Sequence, residues 1–504
     1  MVILSIWYNY TAKEKLNVRM HIDKGPRRYL FWVAFCLLGI GVSAAPAWGQ
    51  SEGEPIRPYA DNPYYWEYKG EPVLLLGGSW QDNLFNHPSR LEHHLDILQE
   101  MGGNYVRNTM SSRNEGNVWP FAKAEGGLYD LEEWNEEYWD RLERFLQLTY
   151  ERDIIVQIEI WDPWDFFVDH QTQGGWSHNP FNPENTVTYT AESSGLPTEV
   201  EYEPGPSPSE HAFFRTVPDL QDNERVRRYQ EAYVDRLLEI TFQYPHVLYC
   251  MNNETGEKLA WGDFWLRYVR EKANAAGKEI YTTDMRRNED LRAEDHAFIY
   301  DQPDRYTFLD VSQNNTRQDQ THYDRLRHVR ERIADEPRPI NNVKIYTFNG
   351  GPSESAERFW RNVFAGAASS RFHRPHPLEH PDEHLTEHGA GIGLSPRAQA
   401  HIRSARLITE ELGVFTSTPR NDLLGDRADN EAYMLADPGR AYAVYFPTGG
   451  AVTADLSKAD GELEVRWLNL DRSTWTHPGT LSASEAVELE APGNGAWAVL
   501  IEAE

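Results

Sequence analysis

The chain has 504 residues, which is too long for one ordinary domain and fits a barrel of roughly 250 or more residues plus a smaller module. Hydrophobic residues make up 40% of the chain, so a sizeable core can be buried. The net charge of −30 argues against nucleic acid and anionic membranes as partners, because phosphate binding needs basic patches. The same acidity fits either a salt-adapted host or an ordinary acidic exported protein, and activity in molar salt separates the two.

An export signal is predicted at the N-terminus. Arg27 and Arg28 precede an apolar run over residues 29–42, and small residues follow over 43–47. A basic segment, a short apolar segment and an Ala-x-Ala site are typical of a signal peptide, and the run is too short for a membrane span. We therefore expect residues 1–50 to direct export, and the mature protein to be secreted or periplasmic without a stable membrane span.

The next part of the chain alternates apolar strand-like segments with amphipathic helical segments, which is the pattern of βα units and a parallel sheet. The eight predicted strands are 73–78, 104–109, 154–161, 246–252, 279–284, 307–313, 339–346 and 369–373. The predicted helices are 88–101, 131–151, 223–243, 262–276, 324–335, 356–367 and 395–412. This order predicts an α/β fold, a (β/α)8 barrel of the TIM type over residues 51–412.

Two segments depart from the βα pattern. A long insertion at 165–219, rich in Pro, Gly, Asn and Trp, separates the third and fourth strands. Such an insertion after a barrel strand usually builds a wall of the active site. From residue 413 the hydrophobic period changes to two, with short strands at 441–447, 451–456, 463–468 and 495–501. We therefore predict a small antiparallel β-sandwich over 413–504.

The functional residues of such a barrel come from the C-terminal ends of the strands and from the loops that follow them. The residues at these positions are Trp80, Asp82, Arg107, Asn108, Glu159, Trp161, Asp162, Asn253, Glu254, Asp284, Asp310, Asn315, Lys344, Arg371 and His373. Trp faces stack on sugar rings, and amides and charged groups bind sugar hydroxyls. The mixture therefore predicts a carbohydrate site.

Cleavage of a glycosidic bond needs two carboxyl groups, one that donates a proton and one that attacks the anomeric carbon or activates water. The Asn253-Glu254 pair after the fourth strand, with Arg107 on the second, resembles the clan of retaining (β/α)8 glycoside hydrolases that includes cellulases and mannanases. The resemblance implies that Glu254 is the acid/base, that Asn253 orients the substrate 2-hydroxyl and that Arg107 supports the nucleophile.

The two ends of the mature chain carry a closer resemblance. Residues 62–77, NPYYWEYKGEPVLLLG, resemble the opening hairpin and first strand of cellulase-like secreted barrels. Those proteins often carry a C-terminal module named for collagen binding, and residues 439–447, 465–467 and 491–497 are similar to it. The name of the module is no evidence for collagen as a ligand.

The sequence departs from the clan at the seventh strand, where the clan has its nucleophile Glu. Lys344 lies in this strand, and no acidic residue follows until Glu354. Asp284 is the preferred second catalytic carboxylate because it ends a strand next to the fourth. The alternatives are Asp310, Glu159, Asp162 and Glu354. A cation such as Lys344 holds a neighbouring carboxylate ionised, which is unfavourable if that neighbour is the proton donor Glu254.

Two other functions remain open: a non-catalytic carbohydrate-binding barrel, which the missing strand-seven Glu favours, and a polysaccharide lyase with Lys344 or a Tyr as base. Arg371 and Arg374 add positive charge that favours an acidic polysaccharide. We expect no cofactor and no metal, because no His, Cys and Asp cluster has ligand spacing, and His373 is expected to contact a hydroxyl or carboxylate. Carbohydrate is the expected partner, and the sequence does not determine the oligomeric state.

Overall fold

The computed structural model describes residues 53–167, 175–200, 211–375 and 390–503. The predicted signal region, 1–50, lies outside the described residues, and so do parts of the 165–219 insertion. Across the four described ranges, no helix combines the length and the apolar character needed to cross a bilayer.

Eight short parallel strands run through the first three quarters of the chain. They are β1 Leu75–Gly78, β2 Tyr105–Thr109, β3 Ile155–Trp161, β4 Val247–Asn252, β5 Thr282–Thr283, β6 Leu309–Asp310, β7 Ile340–Asn341 and β8 Ser369–Phe372. Six of them form one sheet in the order β5-β4-β3-β2-β1-β8, and β6 pairs with β7. Backbone hydrogen bonds from Thr307 to Thr282 (2.9 Å) and from Ala368 to Ile340 (2.8 Å) extend from this pair toward β5 and β8. The predicted α/β fold with parallel strands is confirmed.

Close packing at the start of the sheet requires glycine. A Cβ atom at Gly77 would lie 1.9 Å from the carbonyl oxygen of Tyr105, and one at Gly78 would lie 2.3 Å from that of Gly393. A larger residue at Gly77 would push β1 away from β2, and one at Gly78 would push β1 away from the segment before α8, so both glycines allow neighbouring backbone to approach β1 closely.

Helices follow the strands. They are α1 Pro88–Glu100, α2 Glu136–Tyr150, α3 Glu224–Thr241, α4 Leu259–Ala275, α5 Glu294–Tyr300, α6 Asp319–Arg332, α7 Gly351–Phe364 and α8 Pro396–Leu412. The prediction of helix from residue 131 was wrong, because Tyr129–Trp134 is a strand paired with Phe121–Lys123. Helix α5 was not predicted, since seven residues are too few to show a helical period.

The segment before β1 forms a three-stranded antiparallel sheet of Arg57–Pro58, Trp66–Tyr68 and Glu71–Val73. Trp66 is fully buried, and its indole nitrogen donates to Oδ1 of Asn341 at 2.9 Å. This contact ties the opening hairpin to the end of β7.

The described part of the insertion packs aromatic side chains against β3 and α4. Phe166 and Phe213 lie 4.1 Å apart between ring centroids, and Phe213 lies 5.6 Å from Trp161. Trp161 is also 5.1 Å from Trp265 and is only 2% exposed. The expected sugar-stacking role of Trp161 therefore does not match its position, because its ring is enclosed by these aromatic side chains.

The last quarter of the chain forms two antiparallel sheets. The strands are β9 Thr418–Pro419, β10 Leu424–Gly425, β11 Tyr433–Asp437, β12 Ala441–Phe446, β13 Ala451–Ala454, β14 Glu462–Asn469, β15 Thr474–Trp475, β16 Gly479–Ser482, β17 Val487–Glu490 and β18 Trp497–Ala503. The larger sheet has the order β9-β11-β12-β18-β14-β15, with β16 also on β14, and the smaller has the order β10-β13-β17. The predicted C-terminal antiparallel structure is confirmed.

The larger sheet has two apolar faces because its side chains alternate in direction. One face, which includes Met434 and Val444, packs within the C-terminal part. The other face carries Tyr445, whose ring stacks 5.6 Å from Trp360 of α7. This face of the larger sheet therefore shares one core with the helices of the parallel part, whereas the opposite face and the smaller sheet form a separate core. The boundary predicted at residue 412, which is the last residue of α8, stays a prediction.

Candidate active site

Glu254 is the most exposed of the carboxyl groups at the strand ends. Its side chain is 13% exposed, compared with 6% for Asp82, 2% for Asp284, 1% for Asp162 and none for Glu159. A group that acts on a substrate has to be reachable, so Glu254 is the best placed of these five.

The backbone at Glu254 is strained. Its φ angle is +49°, in the left-handed region that costs a residue with a side chain about 1–3 kcal/mol. Backbone hydrogen bonds on both sides hold this conformation: Asn253 donates to the carbonyl of Trp161, and Thr255 donates to that of Met285, each at 2.9 Å. Strain of this kind concentrates at functional sites, and here it aims one carboxylate out of the end of β4.

Two donors from the segment after β7 hold the Glu254 carboxylate. Its Oε1 atom accepts from Nζ of Lys344 at 2.7 Å and from the hydroxyl of Tyr346 at 2.8 Å. Lys344 is fully buried and also donates to the side-chain oxygen of Asn253. Burial by itself raises the pKa of Glu254, but the ammonium and the hydroxyl outweigh burial and hold that pKa well below its usual range. Glu254 is therefore ionised at neutral pH.

A buried network of ion pairs surrounds Asp82, which follows β1. Arg107 donates from Nη1 to Asp82 at 2.8 Å and from Nε to Glu159 at 2.8 Å. Arg113 and Arg374 reach the other oxygen of Asp82 at 3.1 and 3.0 Å. Burial opposes ionisation of Asp82, but His373 and the three arginines hold its pKa well below the usual range. The charge of Arg374 is thus compensated by a carboxylate, which weakens the argument for an acidic substrate.

Arg113 extends the network toward Glu254. It pairs with Asp82 and with Asp162, and Asp162 accepts from the side-chain amide of Asn253 at 2.8 Å. Asn253 contacts Lys344 in turn. Through these contacts, the loops after β1 and β2 hold Asn253, the residue before Glu254, in place.

Sequence reasoning missed Arg113 and Tyr346. Arg113 lies in the loop after β2, where no hydrophobic period marks a residue as part of the site. Tyr346 ends the predicted seventh strand, so its position at a strand end was a signal that could have identified it. His373 packs beside Tyr346, with ring centroids 4.4 Å apart, and its Nδ1 lies 3.3 Å from Asp82. Burial holds the pKa of His373 well below its usual value. His373 therefore lies beside the carboxylate of Asp82, and its role in substrate binding stays a prediction.

The carboxyl groups of Glu159 and Asp310 are buried among the parallel strands. Oε2 of Glu159 has no hydrogen-bond partner among the described residues, and burial raises the pKa of this carboxyl against the effect of Arg107. Asp310 accepts from the amide of Gln157 at 2.8 Å and from the backbone of Ser312 at 2.9 Å, and burial also raises its pKa. Both carboxyl groups are therefore held by buried neighbours.

The contacts of Asp284 do not support a catalytic role. Its Oδ1 accepts from the amide of Asn252 at 2.7 Å, and its Oδ2 lies 3.5 Å from Arg286. A Cβ atom at Gly262 of α4 would lie 2.5 Å from the same Oδ2. The carboxylate is therefore directed at α4, where it braces β5 and β4 against the helix. The preference for Asp284 as the second catalytic group is not retained.

Asn108 and Asn315, which were predicted to bind the substrate, hold nearby loops through their side-chain amides. Oδ1 of Asn108 accepts from the backbone nitrogen of Phe85 at 3.1 Å. The side-chain nitrogen of Asn315 donates to the carbonyl of Ser312. Both amides are buried, so their observed partners are structural.

Arg371 and Trp80 also pack into the surroundings of the site. Arg371 is fully buried and donates to the carbonyl of Val343 and to the hydroxyl of Ser79, and burial lowers its pKa to about 9. Trp80 is half-buried, with its ring 4.9 Å from that of His94. The residues that the structure does bring together are Glu254, Asn253, Lys344, Arg107, Asp82, Glu159, Asp162 and His373.

One group of three carboxylates with metal-ligand spacing occurs in the described part of the chain, at Asp319, Glu354 and Glu357. It lies at the start of α6 and on α7, and Arg361 forms ion pairs with both glutamates. Glu354 is thus paired with Arg361 within helix α7. This contact does not support Glu354 as an alternative catalytic carboxylate.

Comparisons with known proteins give a likeness in fold. No family model matches the chain, and no curated protein matches it. A solved structure of a glycoside hydrolase family 5 from Bacteroides vulgatus ATCC 8482 is 14% identical, with a TM-score of 0.58 over 89% of this chain and 93% of that chain. Another, described as a glycoside hydrolase, is 12% identical, with a TM-score of 0.60 over 90% of this chain and 97% of that chain. At such identities the likeness shows a shared fold alone.

Proposed function

We propose that this protein is a secreted glycoside hydrolase with a (β/α)8 barrel, in which Glu254 acts on a glycosidic bond of a polysaccharide or oligosaccharide. The observation that carries the proposal is the setting of Glu254. This carboxylate is partly exposed, stands on strained backbone at the end of β4, and is held by Lys344 and Tyr346. The eight βα units and the likeness in fold to solved glycoside hydrolases support the barrel.

The ionised state of Glu254 defines what it does in the resting enzyme. A carboxylate either attacks the anomeric carbon or takes a proton from water, whereas a proton donor has to be protonated before the reaction. The contacts with Lys344 and Tyr346 therefore favour Glu254 as nucleophile or general base, although the clan resemblance implied an acid/base. Asn253, fixed by Asp162 and Lys344, orients this group.

A second candidate function is carbohydrate binding without turnover. Two observations favour it. Lys344 lies in the segment after β7, where the resembling clan carries its nucleophile. The nearby carboxyls Asp82, Asp162 and Glu159 are paired with arginines. A binding protein would keep affinity for glycans and release no product.

The test compares the wild type with Glu254→Gln on a panel of neutral and acidic polysaccharides and aryl glycosides. The expected result is release of reducing ends by the wild type and a loss of roughly 10²-fold or more in the variant. Glu271→Gln on the exposed face of α4 removes the same charge and serves as the control. Equal release by Glu254→Gln and the wild type would contradict the assignment, glycan binding without release would favour the second candidate, and unsaturated ends would indicate a lyase.

A further inference from the structure

A cavity of about 560 Å³ lies beside the candidate active site. Its walls come from residues 117–119 after β2, from the paired strands Phe121–Lys123 and Tyr129–Trp134, and from residues 177–185 of the insertion. The volume lies within the range of roughly 300–1,000 Å³ typical of small-molecule sites. The cavity is therefore large enough to hold a ligand, and nothing in the proposed chemistry at Glu254 uses it.

The chemistry of the lining suits sugars. Trp119 and Tyr129 supply aromatic rings, and Asn135 and Asn185 supply side-chain amide oxygens, since their amide nitrogens hold the loops. Nζ of Lys123 lies 4.9 Å from the centre of the Tyr129 ring. Aromatic faces that stack on sugar rings, combined with a few amides for the hydroxyls, are the composition that carbohydrate recognition needs.

The charge of the lining is unusual for this protein. The chain has 79 acidic residues, yet no Asp or Glu is among the described residues that line the cavity, which include Lys123 and His178. A surface of this charge accepts a neutral or an anionic chain and offers no carboxylate to a cationic one. Glycans satisfy this condition, and basic peptides do not.

The same wall exposes apolar surface. Leu128 and Val187 are the large apolar side chains that are exposed among the described residues, at 41% and 51%. Leu128 lines the cavity, and the backbone of Val187 donates to Tyr129 at 2.9 Å. Leu128 thus adds exposed apolar surface to the cavity wall, and Val187 lies on the segment that pairs with Tyr129.

The cavity lies next to the Glu254 site. Trp119 and Phe121 also line a smaller neighbouring cavity together with Trp161 and Asp162. Asp162 is the residue that accepts from Asn253, directly before Glu254. The loops after β2 and β3 thus form both the bracing of Glu254 and the wall of the cavity.

The walls are preformed. The amide of Asn135 donates to the backbone carbonyl of Trp119 at 2.9 Å, and the amide of Asn185 donates to the carbonyls of Ser177 (2.9 Å) and Asn179 (3.0 Å). Because these bonds fix the loops before a ligand arrives, little ordering entropy is lost on binding.

We infer that this cavity is a distal binding site for the same glycan chain whose bond Glu254 cleaves, with Trp119 and Tyr129 as stacking surfaces. The inference rests on the proposed function for the identity of the chain. It predicts that substrates long enough to reach the cavity are bound and processed better than short ones.

Binding is measured by calorimetry in Glu254→Gln, which removes turnover, with oligosaccharides of increasing length from the best substrate of the panel. Trp119→Ala is expected to weaken binding of the long oligosaccharides about tenfold, which corresponds to about 1.4 kcal/mol. Trp119→Phe retains an aromatic face and is expected to restore most of the affinity. Trp475→Ala, a half-buried tryptophan of the C-terminal part, is the matched control and is expected to bind as the parent does.

A second measurement uses the active protein and Lys123→Ala, at an exposed position of the cavity wall. For this variant and for Trp119→Ala, the ratio of kcat/KM for a long oligosaccharide to kcat/KM for an aryl glycoside is expected to fall several-fold. An unchanged ratio and unchanged affinity would overturn the inference, while loss of turnover in Glu254→Gln alone would leave the proposed function intact. A lower kcat/KM ratio in Trp119→Ala, combined with full turnover by Glu254→Gln, would support the cavity and contradict the role of Glu254.

Discussion

The ammonium of Lys344 lies 2.7 Å from Oε1 of Glu254, in the strand-seven segment where glycoside hydrolases of the resembling clan carry a carboxylate. At this place the chain has an ion pair. Its consequence is that Glu254 is held ionised although it is largely buried, because the attraction of a close cation exceeds the penalty of burial.

Removal of this cation is expected to move the pH dependence of activity. Lys344→Gln keeps a donor but removes the charge that lowers the pKa of Glu254, so that pKa rises. The limb of the kcat/KM profile that reports Glu254 is expected to move to higher pH by about one pH unit or more, because loss of about 1.4 kcal/mol of charge interaction raises a pKa by one. The measurement is the pH profile of kcat/KM on the best substrate of the panel. A profile identical to that of the wild type would show that Lys344 does not control Glu254.

Asp284→Asn is expected to reduce stability and to leave the chemistry largely intact. The carboxylate accepts from Asn252 of β4, pairs with Arg286 and packs against Gly262 of α4, so loss of its charge weakens its contacts with two buried partners. We expect a lower melting temperature and a change in kcat of less than about tenfold, below the roughly 10²–10⁴ range of a lost general acid or base. Thermal unfolding and steady-state kinetics on the same preparation test this. A loss of kcat as large as that of Glu254→Gln would restore Asp284 as a catalytic candidate.

Glu354 predicts a pH-dependent stability. Burial raises its pKa to about 7 despite Arg361 and Arg358, with Glu357 and Asp319 acting in the same direction as burial. A carboxyl whose folded pKa is raised contributes stability that is present below its unfolded pKa and is lost as the pH rises through the folded value. The free energy of unfolding of the wild type, relative to that of Glu354→Gln, is therefore expected to fall between about pH 5 and pH 8, with a slope of at most about 1.4 kcal/mol per pH unit.

Denaturant unfolding at several pH values measures that difference. Glu331→Gln, at an exposed position of α6, is the matched control and is expected to follow the wild type at every pH. A difference between wild type and Glu354→Gln that does not change with pH would contradict the raised pKa.

Tyr445→Ala is expected to destabilise the whole described structure. Tyr445 is fully buried, and its ring stacks on Trp360 and packs against Phe364 of α7. Truncation of a buried aromatic residue costs about 3–5 kcal/mol, and here the lost contacts join the C-terminal sheets to the parallel part. Calorimetry should show one cooperative transition that moves to lower temperature, with exposed Ser482→Ala as the control. Two transitions, of which Tyr445→Ala lowers only one, would show that the two parts unfold independently.

The α/β order, the C-terminal antiparallel sheets and the general location of the site followed from local patterns. Each of the eight predicted strands contains an observed strand, because apolar β-branched segments between amphipathic helices leave few alternative arrangements. The pattern was less informative at the strand Tyr129–Trp134, where three aromatic or aliphatic residues at spacings of two and three fit a helix as well as a strand.

The sequence by itself determined which residues stand at the ends of the strands, and therefore that Glu254, Asn253, Arg107, Asp82 and Asp162 lie near one another, because parallel strands bring their carboxyl ends to one edge. Only the tertiary structure decided which of these side chains are available. Lys344 turns to Glu254, Asp284 turns to α4, and Trp161 is covered by the insertion. The direction of a side chain at a strand end depends on partners distant in the chain, and a local pattern carries no information about them.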